Sequence, residues 1–100
     1  GFMDNIKEDR SPEDLLFQVL LDLGIPLSAK ITQDGDVFHV NGNYLIACFK
    51  KVDTELITAI AKLKPYYAVF RDSSFTSDSA MVNFEQVFNT YSPNTIRRVL

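Results

Sequence analysis

Residues 31–49, ITQDGDVFHVNGNYLIACF, decide the fold. Two glycine-bearing turn signals, Asp34-Gly35 and Asn41-Gly42, cut this stretch into three short runs rich in β-branched and aromatic residues, the signature of consecutive hairpins. Strands are therefore expected over 27–33, 36–40 and 43–49. Two-residue turns at both sites pair Gln33 with Asp36 and Val40 with Asn43. That register lines up Ala29, Ile31, Phe38, Val40, Leu45 and Ala47 on a core face. The opposite face receives Lys30, Thr32, Val37, His39, Tyr44, Ile46 and Cys48, apolar enough near its end to be partly covered as well.

Upstream, Ser11-Pro12-Glu13-Asp14 combines a serine cap, proline at the first helical position and acids near the positive end of the helix dipole. Leu15, Leu16, Val19, Leu20 and Leu23 follow at helical spacing until Gly24 and Pro26, which predicts a helix over 12–23. Phe17 and Leu21 add apolar surface away from that stripe, more than one core contact needs, and this excess reads as an interface. Downstream, Asp53 caps a helix with apolar positions Leu56, Ile57, Ile60, Ala61 and Leu63, ended by Pro65. A buried strand is expected at 66–70, a helix over 78–91 with Ala80, Phe84, Val87, Phe88 and Tyr91 on one stripe, and a last strand at 95–100. The fold class is α/β (α+β mixed) of order α-β-β-β-α-β-α-β: an antiparallel meander followed by β-α-β-α-β crossovers in one mixed sheet.

With 100 residues, the chain has room for one domain, assigned to 11–100. Residues 1–10 have the composition of a linker or frayed end, with Lys7, Glu8, Asp9 and Arg10 as solvated charge. A first residue of Gly1 rather than methionine leads to the expectation of a segment of a longer chain. The net charge of −3 and pI near 4.9 are the reverse of the basic footprint of a free-standing nucleic-acid module. One cysteine, Cys48, excludes an internal disulfide, and with no apolar run of membrane length the expected compartment is the cytoplasm.

The four glycines form neither G-x-G-x-x-G nor G-x-x-x-x-G-K-[ST], so no backbone cradle for nucleotide phosphates is expected. His39 and Cys48 share a face, but the register above sets them about 13 Å apart along the sheet, too far for a dyad. His39 reads as a structural histidine beside Tyr44, and Cys48 as a small buried residue. Asp34, Asp36, Asn41 and Asn43 flank tight turns without the spacing of a calcium loop, so no metal site is expected. The remaining candidate is the loop 71–77, which leaves the carboxyl end of a strand, where open α/β sheets bind ligands. It offers Arg71, Asp72, Ser73 and Ser74 as a site for an anion or a partner, or as plain loop and cap residues. A hydrolase built on Ser73 or Ser74 lacks the G-x-S-x-G elbow.

Several words of the sequence, in order, resemble a known family: SPEDLLFQVLLDLG at Ser11 to Gly24, NYLIACF at Asn43 to Phe49, AVFRDSSF at Ala68 to Phe75 and NFEQVF at Asn83 to Phe88. From about Lys7 to its end the chain resembles the C-terminal region of the modification subunit of bacterial type III restriction-modification systems, which are site-specific DNA adenine N6-methyltransferases. The resemblance implies an enzyme as parent, with S-adenosylmethionine as its cofactor and a cytoplasmic location. Neither the D-P-P-Y catalytic motif nor the F-x-G-x-G cofactor loop of such enzymes occurs here, Pro12, Pro26, Pro65 and Pro93 each being isolated. No catalytic, cofactor-binding or metal residue of the family can therefore be placed on this chain. The implied role is that of a non-catalytic accessory domain serving homodimer assembly or contact with the restriction subunit, DNA being bound by the parent mainly through other domains. The alternative is a small ligand- or anion-binding module using loop 71–77.

Overall fold

A computed structural model describes residues 10–100; positions 1–9, expected to be linker, lie outside the described residues. The first helix, α1, spans Pro12–Leu23. Ser11 Oγ accepts the Asp14 N–H at 3.1 Å. At the other end Gly24 takes a left-handed φ of 72°, and its N–H and that of Ile25 donate to Leu21 and Leu20 carbonyls at 3.2 and 2.9 Å. Those two bonds satisfy the terminal carbonyls of the helix, and the buried Ile25 folds back under it.

The remaining elements are β1 (Ile31–Asp34), β2 (Val37–Val40), β3 (Leu45–Cys48), α2 (Thr54–Lys62), β4 (Tyr67–Phe70), a single 3-10 turn at Asp72–Ser74, α3 (Asp78–Tyr91) and β5 (Ile96–Val99). This is the expected mixed α/β order. The strands lie side by side in chain order, β1-β2-β3-β4-β5, antiparallel across the first three and parallel from β3 to β5.

Both hairpin turns differ from the expected register. Asp34 pairs with Val37, so Gly35 and Asp36 form the turn, with glycine at its first central position and a φ of 60°. Val40 pairs with Leu45, which makes the second connection a four-residue loop, Asn41 to Tyr44, with positive φ at Asn41 and Gly42. Each shift moves the pairing by two residues. Because side chains alternate with period two, both faces keep the residues expected of them. The first strand also begins later than residue 27, since Pro26 opens a turn in which its carbonyl accepts the Ala29 N–H at 3.0 Å.

On one face Phe38, Val40, Leu45, Ala47 and Val69 pack under Leu15, Leu16, Val19 and Leu20 of α1. On the other, Val37, Ile46, Cys48, Ala68 and Phe70 meet Ile57, Ile60 and Ala61 of α2 and Phe84 and Phe88 of α3. The second face is thus covered by two helices over Val37, Ile46 and Cys48. Thr32 and Tyr44 on the same face stay exposed and His39 half-buried, the partial cover expected of it. Phe70 sits at its centre, with Phe84, Phe75 and Phe88 at ring distances of 5.2, 5.9 and 6.4 Å, geometry that favours edge-on aromatic contacts. Two stripe positions depart from expectation: Leu63 and Tyr91, at the ends of their helices, are exposed.

Phe70→Ala is expected to cost about 3–5 kcal/mol, as deletion of a fully buried phenyl ring does. Gly24→Ala meets no neighbouring atom and is expected to cost only the left-handed strain, about 1–2 kcal/mol. Urea denaturation of both variants checks this ordering.

Candidate functional site

The loop after β4 is held by backbone hydrogen bonds on two sides. Asp72 N–H donates to the Leu100 carbonyl at 2.8 Å, and Leu100 N–H donates to Phe70 at 2.9 Å. From the other side, the Val52 N–H donates to the Ser74 carbonyl at 3.2 Å. These bonds fasten the loop to the chain end and to the connection leading into α2. Ser73 is exposed, whereas Ser74 is buried and its hydroxyl has no protein partner. Ser73 and Ser74 thus face different surroundings, one in solvent and one in the interior.

A cleft of about 470 Å³ does open at the carboxyl end of the parallel strands, lined by Lys51, Asp53, Thr54, Thr76, Ser77, Ser79 and Asn83, among others. It lies where α2 and α3 begin. Both helix starts are already capped: Asp53 Oδ1 accepts the Leu56 N–H at 2.8 Å and Ser77 Oγ accepts the Ala80 N–H at 3.2 Å. A carboxylate capping one helix stands in the cleft against a single lining lysine, which weakens its pull on an anion. Of the loop singled out from sequence, only Thr76 and Ser77 reach this cleft.

His39 and Cys48 are nearer than expected. Cys48 pairs with Val37, which sets the two about 7 Å apart along the sheet rather than 13. They remain separately engaged. His39 Nδ1 is hydrogen-bonded to Asn43 Oδ1 at 3.1 Å, its cross-strand partner being Ile46 and not Tyr44. The Cys48 thiol points to the Lys50 carbonyl at 3.8 Å. Burial pushes that thiol above its ordinary value of 9.0, and Asp36 adds to the rise, so the reactive thiolate is suppressed at neutral pH. Among the described residues no group of three or more His, Cys, Asp or Glu could hold a metal ion.

Exposed apolar side chains gather on α1 and at one end of the sheet. Phe17 and Leu21, successive turns apart on α1, are 45% and 60% exposed while Leu16 and Leu20 beside them are buried. The second surface, not singled out from sequence, lies at the end where the parallel strands begin. Tyr44, Tyr66 and Tyr67 cluster there, Tyr44 stacked on Tyr66 at 5.2 Å with their planes 9° apart. Alternation of apolar residues could not reveal this group, because Tyr44 is separated along the chain from Tyr66 and Tyr67 by β3 and α2.

No family model, curated protein or solved structure matches the chain. Among the described residues no helix is long and apolar enough to cross a membrane.

Ser74→Ala is expected to leave stability unchanged or raise it by up to about 1–3 kcal/mol, since it removes a buried hydroxyl without a protein partner; chemical denaturation measures it. For Cys48 the sign follows from a raised native value. The neutral thiol's contribution is complete at and below neutral pH and is lost as pH climbs past about 9. The stability difference between the parent chain and Cys48→Ala should be flat at neutral pH and shift against the parent chain in alkaline buffer.

Proposed function

We propose that this chain is the non-catalytic C-terminal domain of a type III restriction-modification DNA adenine methyltransferase, acting in subunit assembly in the cytoplasm. The ordered sequence words from Ser11 to Phe88 support the family reading. The observation that carries the assembly role is the exposed Phe17 and Leu21 pair on α1, opposite a stripe that fills the core. An apolar ridge on an otherwise polar helix face gains free energy when a second protein surface covers it. The partner is a second modification subunit or the restriction subunit. S-adenosylmethionine and the flipped adenine belong to the upstream part of the parent, where a deep pocket with stacking and hydrogen-bonding groups is required.

The test is Phe17→Glu combined with Leu21→Glu in the full-length parent. Both side chains are exposed, so the fold is expected to survive. Analytical ultracentrifugation should show a weakened modification dimer, or pull-down a weakened hold on the restriction subunit. A doubly substituted parent that still dimerises and still retains the restriction subunit at wild-type strength would refute the role.

A further inference from the structure

The tyrosine-bearing end of the molecule combines aromatic faces with positive charge. All four tyrosines of the chain, Tyr44, Tyr66, Tyr67 and Tyr91, stand at or beside the starts of the parallel strands or at the end of α3. Tyr44, Tyr66 and Tyr91 are 41%, 53% and 40% exposed. Tyr67 packs its edge against both Tyr44 and Tyr66, at 5.7 and 4.8 Å, and is itself half-buried against the α1 side of the core. The stacked pair is therefore braced from beneath.

Beside it a cleft of about 410 Å³ runs between Tyr66 and Tyr91, edged by Lys64, Asn94 and Thr95. Its floor is rigid. Thr95 Oγ1 donates to the Pro65 carbonyl at 2.6 Å, and the Ile96 N–H donates to the Tyr66 carbonyl at 2.8 Å. Lys62 Nζ stands 5.3 Å from the Tyr91 ring centroid, and Lys30, whose backbone N–H donates to Asn41 Oδ1, belongs to the same end.

The charge there is one-sided. Segments 41–44, 62–67 and 91–95, which build this end, contain Lys62 and Lys64 and no acid, although the chain has 13 acidic residues. Asp34, Asp36, Asp53, Asp72 and Asp78 sit at or beyond the opposite ends of the strands. Exposed planar rings beside lysines match single-stranded nucleic acid: bases stack on aromatic faces and the backbone meets ammonium groups. Glu85, whose partner Arg97 also reaches the Pro93 carbonyl at the edge of the cleft, is paired at 3.1 Å.

We infer that this end is a stacking site for single-stranded nucleic acid, with bases on the Tyr44/Tyr66 pair and on Tyr91 and phosphates at Lys30, Lys62 and Lys64. Recognition is sequence-tolerant, since every base offers a π-face. The inference stands apart from the assembly role and does not need it.

The experiment is fluorescence anisotropy of a labelled oligothymidylate about twelve nucleotides long, within the site sizes of small single-strand binders, titrated with this chain at low ionic strength. Binding is expected, with a slope of log affinity against log salt of about −2 for three phosphate contacts. Tyr44→Ala combined with Tyr66→Ala should weaken it on the order of tenfold or more. Tyr66→Phe, which keeps the ring, should bind as before, and Lys50→Glu with Lys51→Glu at the opposite end should change little. Urea denaturation of each variant confirms that it folds. Because the chain has no tryptophan, its intrinsic emission arises from the tyrosines of this end and should change on binding. Absence of binding at low salt overturns the proposal. So does equal loss in the Lys50/Lys51 variant, which would mark diffuse charge attraction, or equally effective displacement by polyglutamate, which would mark an acidic protein surface as the occupant.

Discussion

Leu45, Ile46, Ala47 and Cys48 are each wholly buried, and that double-sided burial of β3 is the constraint on which the remaining structure depends. A strand with no solvent face needs a layer on each side of the sheet. Leu45 and Ala47 take α1 as their cover, while Ile46 and Cys48 take α2 and α3. Ala68, Val69 and Phe70 in β4 repeat the condition. Parallel pairing of β3 with β4 then follows from the crossover that delivers α2 to its face, and α3 completes the same layer on the way to β5. The polar and charged strands, β1 with Thr32, Gln33 and Asp34 and β5 with Arg97 and Arg98, are left for the edges, where a charged strand resists pairing with another molecule.

Element order, both long helices and the division of the meander into two faces were legible because each is written in short-range periodicity and caps. Turn placement was not. Reading Asp34-Gly35 as the centre of the first hairpin treats glycine as the second turn residue, whereas the chain uses it as the first. Both positions are compatible with a glycine-containing primed turn, and burial of Phe38 and Val40 is the same for either, so nothing local separates them. A slip of one residue would have exposed Phe38; a slip of two costs only end contacts. The adjacent strands kept their composition of faces for that reason.

Candidate surfaces were less legible, for two different reasons. Loop 71–77 occupies the position where open sheets place ligands, yet its Asp72 N–H is taken up by Leu100 and its Ser74 carbonyl by Val52. Long-range hydrogen bonds of this kind leave no trace in residue type. The tyrosine group was missed because Tyr44 and Tyr66 lie in two connections and Tyr91 ends α3, so that they share one end of the molecule only once β3, β4 and β5 lie side by side. By contrast, Phe17 and Leu21 were visible as an excess over one helical stripe, since both belong to a single helix.

The net charge of −3 is unevenly distributed over the molecule. Asp34, Asp36, Asp53, Asp72 and Asp78 gather at the carboxyl ends of the strands, whereas Lys62 and Lys64 stand with Tyr44 and Tyr91 at the other end. Screening confines electrostatic influence to about 10 Å or less in physiological salt, and the molecule measures 31 × 30 × 24 Å. Each end therefore presents its own potential to a partner. The Phe17 and Leu21 ridge lies on the outer side of α1, whose last turn adjoins Arg98 and Leu100 at the carboxyl end of β5, while the tyrosines stand at the starts of the strands. The two exposed surfaces therefore occupy different parts of one small domain, the ridge on the outer side of α1 and the stacked rings at the strand starts.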